Sequence, residues 1–566
     1  MDNLKEIAEN IKLGNLDKAL KLCDLNETLE DNYIINNFKG VIFSLKKKND
    51  IAEKFFIKSH NLDKKFEDPL KNLFIIYINK KNFLEIINIS KKLCEIDNNK
   101  DLYLYYLAYA YENNNNKVLA IDTYDQCIEL NGQNKIKALN NAGSIYLRNN
   151  KIKTSLKYFE KANKISENDK VLINNLLLNY IKLKDESKAD ELLIVSENLD
   201  KNYEGFIYNK AQFYILKEKF NEAIEILKKN KSSVKFLILL IELYFNMGKF
   251  EEAELLLKEN KNEIINDINF YNYFGIRSLR EGNFKEGWNY YESRGSKTTG
   301  YLKNLKEWKG EKLTNKSIVV FYEQGIGDTI QFSKYLIPLL KISKNVTFVI
   351  QERIIKIFRK DIDGLIIKKK LDINQKDYDF KIDLGSLVKF FYKEKINNAI
   401  SLFKINNNKI NELVKIKKSK LNVGIAWSGS FYGPNEPYRS LPLKNLEKLF
   451  SLDINFYCLQ SEIRNYDYDY FKSLNIVDCS NFDLIQIGEI INNLDLVIST
   501  DTSILHLSAS FNKETWGILN LYPDWRWSKF EKFNPYNSLK LFRQSRFNYW
   551  DDIINDIYNQ LKTKLV

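Results

Sequence analysis

Three groups of residues in this 566-residue chain have types and spacings that could carry chemistry. The first is Glu323-Gln324-Gly325-Ile326-Gly327-Asp328, which follows the apolar run Ser317–Tyr322 and precedes a helical pattern starting at Thr329. Two glycines between a buried strand and a helix N-terminus let backbone approach a ligand or a second domain. The closing Asp328 would sit where free N–H groups stabilise a carboxylate, the geometry in which an α/β enzyme presents an acid or base at the end of its sheet. A plain helix cap after a glycine turn has the same pattern.

The second group follows the buried run Leu494–Thr500. It reads Asp501-Thr502-Ser503 and continues as Ile504-Leu505-His506-Leu507. Unpaired N–H donors, two hydroxyls and a positive helix end make a diphosphate site. Thr502 and His506 share a helix face. An Asp cap with a packed His is the simpler alternative. The third group surrounds Val423–Ser428, a strand entering a small-residue turn, with Ser428 at its end. The loop after it carries Arg439, whose guanidinium can clamp a phosphate through two parallel bonds or lie on the surface. Gln460 ends the next strand. Pro523-Asp524-Trp525-Arg526-Trp527 makes either a cleft wall or a structural corner.

These groups need sheets to position them. Strand candidates are Ile318–Tyr322, Val346–Gln351, Leu365–Lys368 and Phe380–Leu384. A polar stretch at Asn406–Lys420 separates them from Val423–Ser428, Asn455–Gln460, Ile476–Cys479, Leu494–Thr500, Thr515–Leu519 and Leu539–Arg543. Helices fall between, including Asp483–Asn493 and Thr502–Ser510. Alternating strands and helices predict parallel sheets with right-handed crossovers, hence two Rossmann-like lobes facing a cleft. An amphipathic segment, Tyr549–Leu565, closes the chain.

The first half has a different rhythm. A small or apolar residue, an aromatic or apolar one three later, a small residue at +12 and a large one at +16 recur, mostly every 34 positions: Gly40, Phe43, Ala52 and Phe56; Ala108, Tyr111, Ala120 and Tyr124; Gly143, Tyr146, Ser155 and Phe159; and Ala211, Tyr214, Ala223 and Leu227; Gly275, Ser278, Gly287 and Tyr291 close the series with Ser at the second position. Residues 1–30, with Ala8 and Ala19, read as a degenerate first repeat. The series resembles the tetratricopeptide repeat (TPR), in which small residues let two helices cross closely. It predicts an α-solenoid with a groove for a protein or peptide, although such arrays also dimerise or brace a second domain. Asn113 to Asn116, Asn149 and Asn150 fall at helix–helix turns, where Asn is at home.

Length alone predicts two or more domains. The division expected is 1–294 for the repeats, 295–315 for a connector, 316–408 for a first lobe and 409–566 for a second lobe with its C-terminal helix. A net charge of +13 could attract nucleic acid, but Lys is interspersed with Asp and Glu on helical faces, so no nucleic-acid partner is expected. Five cysteines without paired spacing predict reduced thiols in a cytoplasmic protein. With only His60 and His506, a histidine-rich metal site is out of reach, and no metal is expected. Neither a signal peptide nor a membrane span is expected.

From Gly282 onward the chain resembles the GT-B glycosyltransferases related to the ADP-heptose:lipopolysaccharide heptosyltransferases, in particular their TPR-fused relatives. The likeness rests on Gly282–Arg294, Trp308-Lys309-Gly310, Glu323–Phe332, Arg439–Leu443, Asp501–Leu507, Pro523–Trp527 and Leu541-Phe542-Arg543-Gln544. It implies an α-solenoid followed by a two-lobed GT-B fold and a nucleotide-sugar co-substrate with no other cofactor. It also implies Asp328 as catalytic base; the turn that carries it, Gln324, Gly325 and Gly327, is the expected acceptor-side loop. For the donor it implies Arg439, Asp501, Thr502, Ser503 and His506, while Ser428 and Gln460 are donor-side candidates from their places at strand ends. Ser503 stands where the relatives carry Gly. The expectation is transfer of sugar to a protein held by the repeats. Transfer to lipopolysaccharide or another surface glycan is the second reading, and a binding scaffold with an inactive transferase half is the third.

Overall fold

The computed structural model describes residues 2–26, 32–96, 100–114, 116–149, 151–265, 268–294, 302, 305–343, 345–393, 402–404, 414, 416, 419–430, 436, 438–527 and 536–565. Residues 295–301, 303 and 304 of the expected connector, most of the polar stretch near 406–420, Asn115, Asn150 and the loop positions Gly433, Pro434, Asn435 and Pro437 lie outside them. The chain divides into two compact units, Met1–Asn209 and Lys210–Val566.

The first unit is built from helix pairs, among them Tyr33–Leu45 with Asn49–Leu62, Lys100–Asn113 with Lys117–Glu129, and Lys135–Arg148 with Ile152–Asn163. The periodic small residues are where partner helices meet. A Cβ on Gly40 would lie 2.5 Å from the Phe56 ring, and one on Gly143 would lie 3.0 Å from Phe159. Ala52, Ala108, Ala120 and Ala189 are fully buried. The first pair departs from expectation: Ala19 is buried, but Ala8 points outward, and Ile7 and Asn10 take the inward face instead. Asn amides link successive pairs, Asn175 Nδ2 to Asn140 Oδ1 at 2.8 Å and Asn209 Nδ2 to Asn174 Oδ1 at 2.9 Å. Asn116 caps its helix, accepting from Leu119 N.

The second unit opens with further pairs of the same kind, ending in Ile268–Arg280 and Phe284–Tyr291. Two parallel sheets follow. Strands β1 (Lys306–Glu307), β2 (Ile318–Phe321), β3 (Val346–Val349), β4 (Leu365–Lys368) and β5 (Phe380–Asp383) form one, in the order β1-β5-β2-β3-β4. Strands β6 (Asn422–Ala426), β7 (Asn455–Cys458), β8 (Ile476–Asp478), β9 (Leu496–Thr500), β10 (Thr515–Leu519) and β11 (Leu539–Arg543) form the other, in the order β11-β10-β9-β6-β7-β8. Every pairing is parallel. Counted within the second sheet, the order is that of a doubly wound Rossmann sheet, whose chain reverses direction between β6 and β9. In the first sheet the reversal falls between β2 and β5. Such switch points open a crevice at the carboxyl ends of the strands. The central strands are buried along their whole length because both faces are covered. The final helix, Asp551–Lys564, packs on the Leu443–Ser451 turn of the second sheet's module through Ile553, Ile554, Ile557 and Leu561.

Candidate active site

The turn after β2 is held from behind by a buried ion pair. Arg294 Nη2 and Nε bond Glu323 at 2.5 and 2.8 Å, and Arg294 also donates to Ser386 Oγ at 2.8 Å. Glu323 accepts in addition from Gly385 N at 2.8 Å. Next, Gln324 adopts a left-handed φ of 59° and donates to the Tyr291 hydroxyl at 2.8 Å. The helix then starts at Ile326, three residues earlier than the pattern suggested, and runs to Ser333. Asp328 therefore lies inside the first turn, where it accepts from Gly325 N at 2.9 Å. Gly327 is in the helix because it must be small: a Cβ there would sit 3.0 Å from His506 Cδ2 and 3.6 Å from Ser503 Cα. The helices Ile326–Ser333 and Ser503–Ser510 pack on one another at this point.

Asp501 directly follows the strand β9, and Thr502, not Asp501, caps the following helix, its Oγ1 accepting from Ile504 N at 3.2 Å. Asp501 faces His506 Nε2 at 3.7 Å. Burial, with Asp524 nearby, pushes the Asp501 carboxyl up to about 6. His506 stacks on Trp527 at 5.3 Å and meets the Tyr536 hydroxyl through Nδ1 at 3.0 Å. Burial, reinforced by Arg526, pushes its ring down to about 3, so it is neutral at ordinary pH.

Arg439 reaches the same place from the loop after β6. Its Nε bonds Glu436 at 3.0 Å, and its Nη1 lies 3.4 Å from the Asp501 carbonyl. The absence of a side chain at Gly429 makes room for its guanidinium. Ser428 and Gln460 are buried and committed to each other. Gln460 Oε1 accepts from the N–H of Trp427 and Ser428, while Nε2 donates to Ser428 Oγ and the Glu462 carbonyl. All four bonding positions of the amide are used, so this pair braces the turn beneath Arg439.

Arg526, whose sequence context fits either a cleft wall or a structural corner, occupies the centre. It ion-pairs with Asp328, bonds Asp524 Oδ1 through Nη1 at 2.6 Å, and donates to Gln324 Oε1 at 3.1 Å. Trp525 seats this segment against Trp288 at 5.2 Å, Tyr291 at 5.5 Å and Phe332 at 6.1 Å. Burial raises Asp328, although Arg526 pulls the other way. For Asp524 the burial that would raise it is overcome by Arg526, and the carboxyl is lowered. Lys334, at the end of the same helix as Asp328, is close enough to act on His506, and burial pushes its ammonium down to about 8. No three His, Cys, Asp or Glu side chains among the described residues group as a metal site.

The site thus gathers Asp328, Gly327, Arg439, Asp501, Thr502, Ser503 and His506 from the sequence reading at the carboxyl ends of two parallel sheets, and adds Arg526, Asp524, Tyr536 and Lys334. Asp524 and Arg526 carried a local signal, the Asp-x-Arg spacing beside two tryptophans. Tyr536 and Lys334 carried none.

Together the fold is that of a helical-repeat array continued by two parallel α/β sheets. The tetratricopeptide-repeat family model matches residues 103–134 and 136–169, so these residues are TPR repeats. Among solved structures, a tetratricopeptide repeat protein from Parabacteroides merdae is 15% identical, with a TM-score of 0.37, covering 42% of this chain and 95% of its own. YrrB, described as a TPR protein with an unusual peptide-binding site, is 16% identical with a TM-score of 0.29, covering 33% of this chain and 96% of its own. PilF of Pseudomonas aeruginosa is 10% identical with a TM-score of 0.30, covering 37% and 96%. No curated protein matches the chain. No helix among the described residues is long and apolar enough to cross a membrane.

Proposed function

We propose that the second half is a GT-B glycosyltransferase. It moves a sugar from a nucleoside-diphosphate donor to a hydroxyl of a protein that the repeats hold. One observation carries this reading: the helix that presents the partly enclosed carboxylate of Asp328 after the first sheet meets, through Gly327, the start of the Ser503 helix after the second. In an inverting transfer the acceptor hydroxyl gives its proton to Asp328 as its oxygen bonds the anomeric carbon. The bond from that carbon to the diphosphate breaks, and the electron pair leaves with the nucleoside diphosphate. The Ser503 helix end and the Arg439 guanidinium meet the negative charge that develops there. These fixed dipoles and cations let the reaction run without a metal.

The test is direct. A general base contributes about 10²–10⁴-fold, so Asp328→Asn should lose turnover by that range without weakening nucleoside-diphosphate binding. Turnover like that of the wild type would remove Asp328 from the role. Mass spectrometry of proteins that co-purify with the chain, searched for added hexose or nonulosonate mass, identifies the acceptor class, and modified glycolipid instead of protein would favour a surface-glycan acceptor. A second reading rests on the TPR match at residues 103–169: a protein-binding scaffold without transfer. Partners that co-purify unmodified, together with no nucleotide binding, would favour it.

A further inference from the structure

We infer that Arg526 is an exchange residue: with the donor site empty it pairs with Asp328, and an arriving diphosphate draws its guanidinium away, releasing Asp328 to act as base. The inference rests on the transferase reading and assigns that site its order of events, donor before acceptor.

The two carboxylates on Arg526 are held unequally. Asp524 is two residues away and is also tied to the Arg526 backbone N–H at 3.1 Å, so that contact belongs to the turn itself. Asp328 is 198 residues away and belongs to the other sheet's module. It is the contact that can break without unmaking a turn. Arg526 Nε is buried and has no acceptor among the described residues, which is a donor left waiting in a site crowded with carboxylates. A phosphate offers a guanidinium the same parallel pair of bonds as a carboxylate, with more charge. A diphosphate arriving beside Asp501, Asp524 and Asp328 brings further negative charge into an enclosed space. Beside Arg439, Arg526 is a second cation acting on Asp501, 11% exposed at its side chain.

The exchange also resolves a conflict in the resting site. A carboxylate paired with a guanidinium is a poor proton acceptor, because the pair favours its charged form. With Arg526 withdrawn, the burial of Asp328 acts unopposed, and its proton affinity rises toward what a base requires. The other groups near Asp328 do not stand in for Arg526. Glu323 and Asp524 are negative, Tyr291 and Tyr536 are held neutral by burial, and His506 is neutral.

Calorimetry on the full chain tests this with ADP, GDP, CDP and UDP as probes, in paired buffers of different ionisation enthalpy at about pH 5, just above the ordinary carboxylate range. The expected result is net proton uptake on binding, missing from Asp328→Asn. Arg526→Gln should bind at least about tenfold more weakly, the loss of one charge-assisted contact. Arg526→Lys should recover part of that affinity together with the proton uptake, and it guards against a mere folding defect. Equal proton uptake in wild type and Asp328→Asn would overturn the exchange while leaving the donor site intact. Unchanged affinity in Arg526→Gln would do the same. No binding of any of the four nucleotides would remove the transferase reading and the exchange with it.

Discussion

At the scale of single residues, the neutral His506 sets a pH dependence. Unfolded, its ring takes a proton near 6.5, and folded only near 3. Between those values the unfolded chain binds more protons, so acidification erodes stability by at most about 1.4 kcal/mol per pH unit from this ring. Asp501 works in the opposite sense, because its raised value favours proton binding in the folded state between about 3.8 and about 6. The difference between wild type and His506→Gln isolates the ring. On lowering the pH from 7 to 5, wild type should lose about 2 kcal/mol more than the variant in urea unfolding. All seven tryptophans lie beyond residue 209, so their fluorescence reports the second unit alone. Arg439 is open to a test through a residue with no side chain. An added Cβ at Gly429 would displace the guanidinium, which is the free end of a flexible chain. Gly429→Ala should therefore weaken nucleoside-diphosphate binding about as much as Arg439→Ala, roughly tenfold for one guanidinium contact, with little change in melting temperature.

At the scale of elements, the turn that presents Asp328 depends on the Arg294–Glu323 pair, both partners of which are buried. Removing one partner strands a buried charge, so Arg294→Met should destabilise the second unit by about 3–5 kcal/mol, and Arg294→Met with Glu323→Leu should recover most of that. Urea titration by tryptophan fluorescence measures both. This level was also the most legible in the sequence. Ten strand candidates correspond to β2–β11 within two residues at either end, because buried β-branched runs bounded by polar turns have few other homes. The strand β1 escaped because its two residues, Lys306 and Glu307, make an edge pairing without any hydrophobic run. The early helix start at Ile326 escaped because Gly325 and Gly327 look like turn residues. What admits Gly327 to the helix is His506, far along the chain. The site was legible only where its residues follow their own strands. The joining of Arg526 to Asp328 is a tertiary contact that no local spacing records.

At the scale of the whole molecule, every residue of the candidate site lies in the second unit, while the matched TPR repeats lie in the first. A fragment beginning at Tyr203, ahead of the helix Glu204–Leu216, should keep nucleoside-diphosphate affinity within about twofold, as expected of a unit with its own core. It should lose transfer to a protein acceptor if the repeats supply the acceptor's grip. Calorimetry and intact-protein mass spectrometry on the same preparation separate the two effects.

The short segment from Tyr522 to Trp527 carries a further consequence. At one end Tyr522 is stacked on Phe245 at 4.9 Å and lies under Arg280 at 3.6 Å, both on helices of the last repeats. Four residues on, Arg526 holds Asp328. The segment is a lever with its handle among the repeats and its tip in the site. Linkage makes any such coupling run both ways: a ligand that strains the last repeats would retune the site at Arg526, and a ligand that moves Arg526 would in turn strain the last repeats.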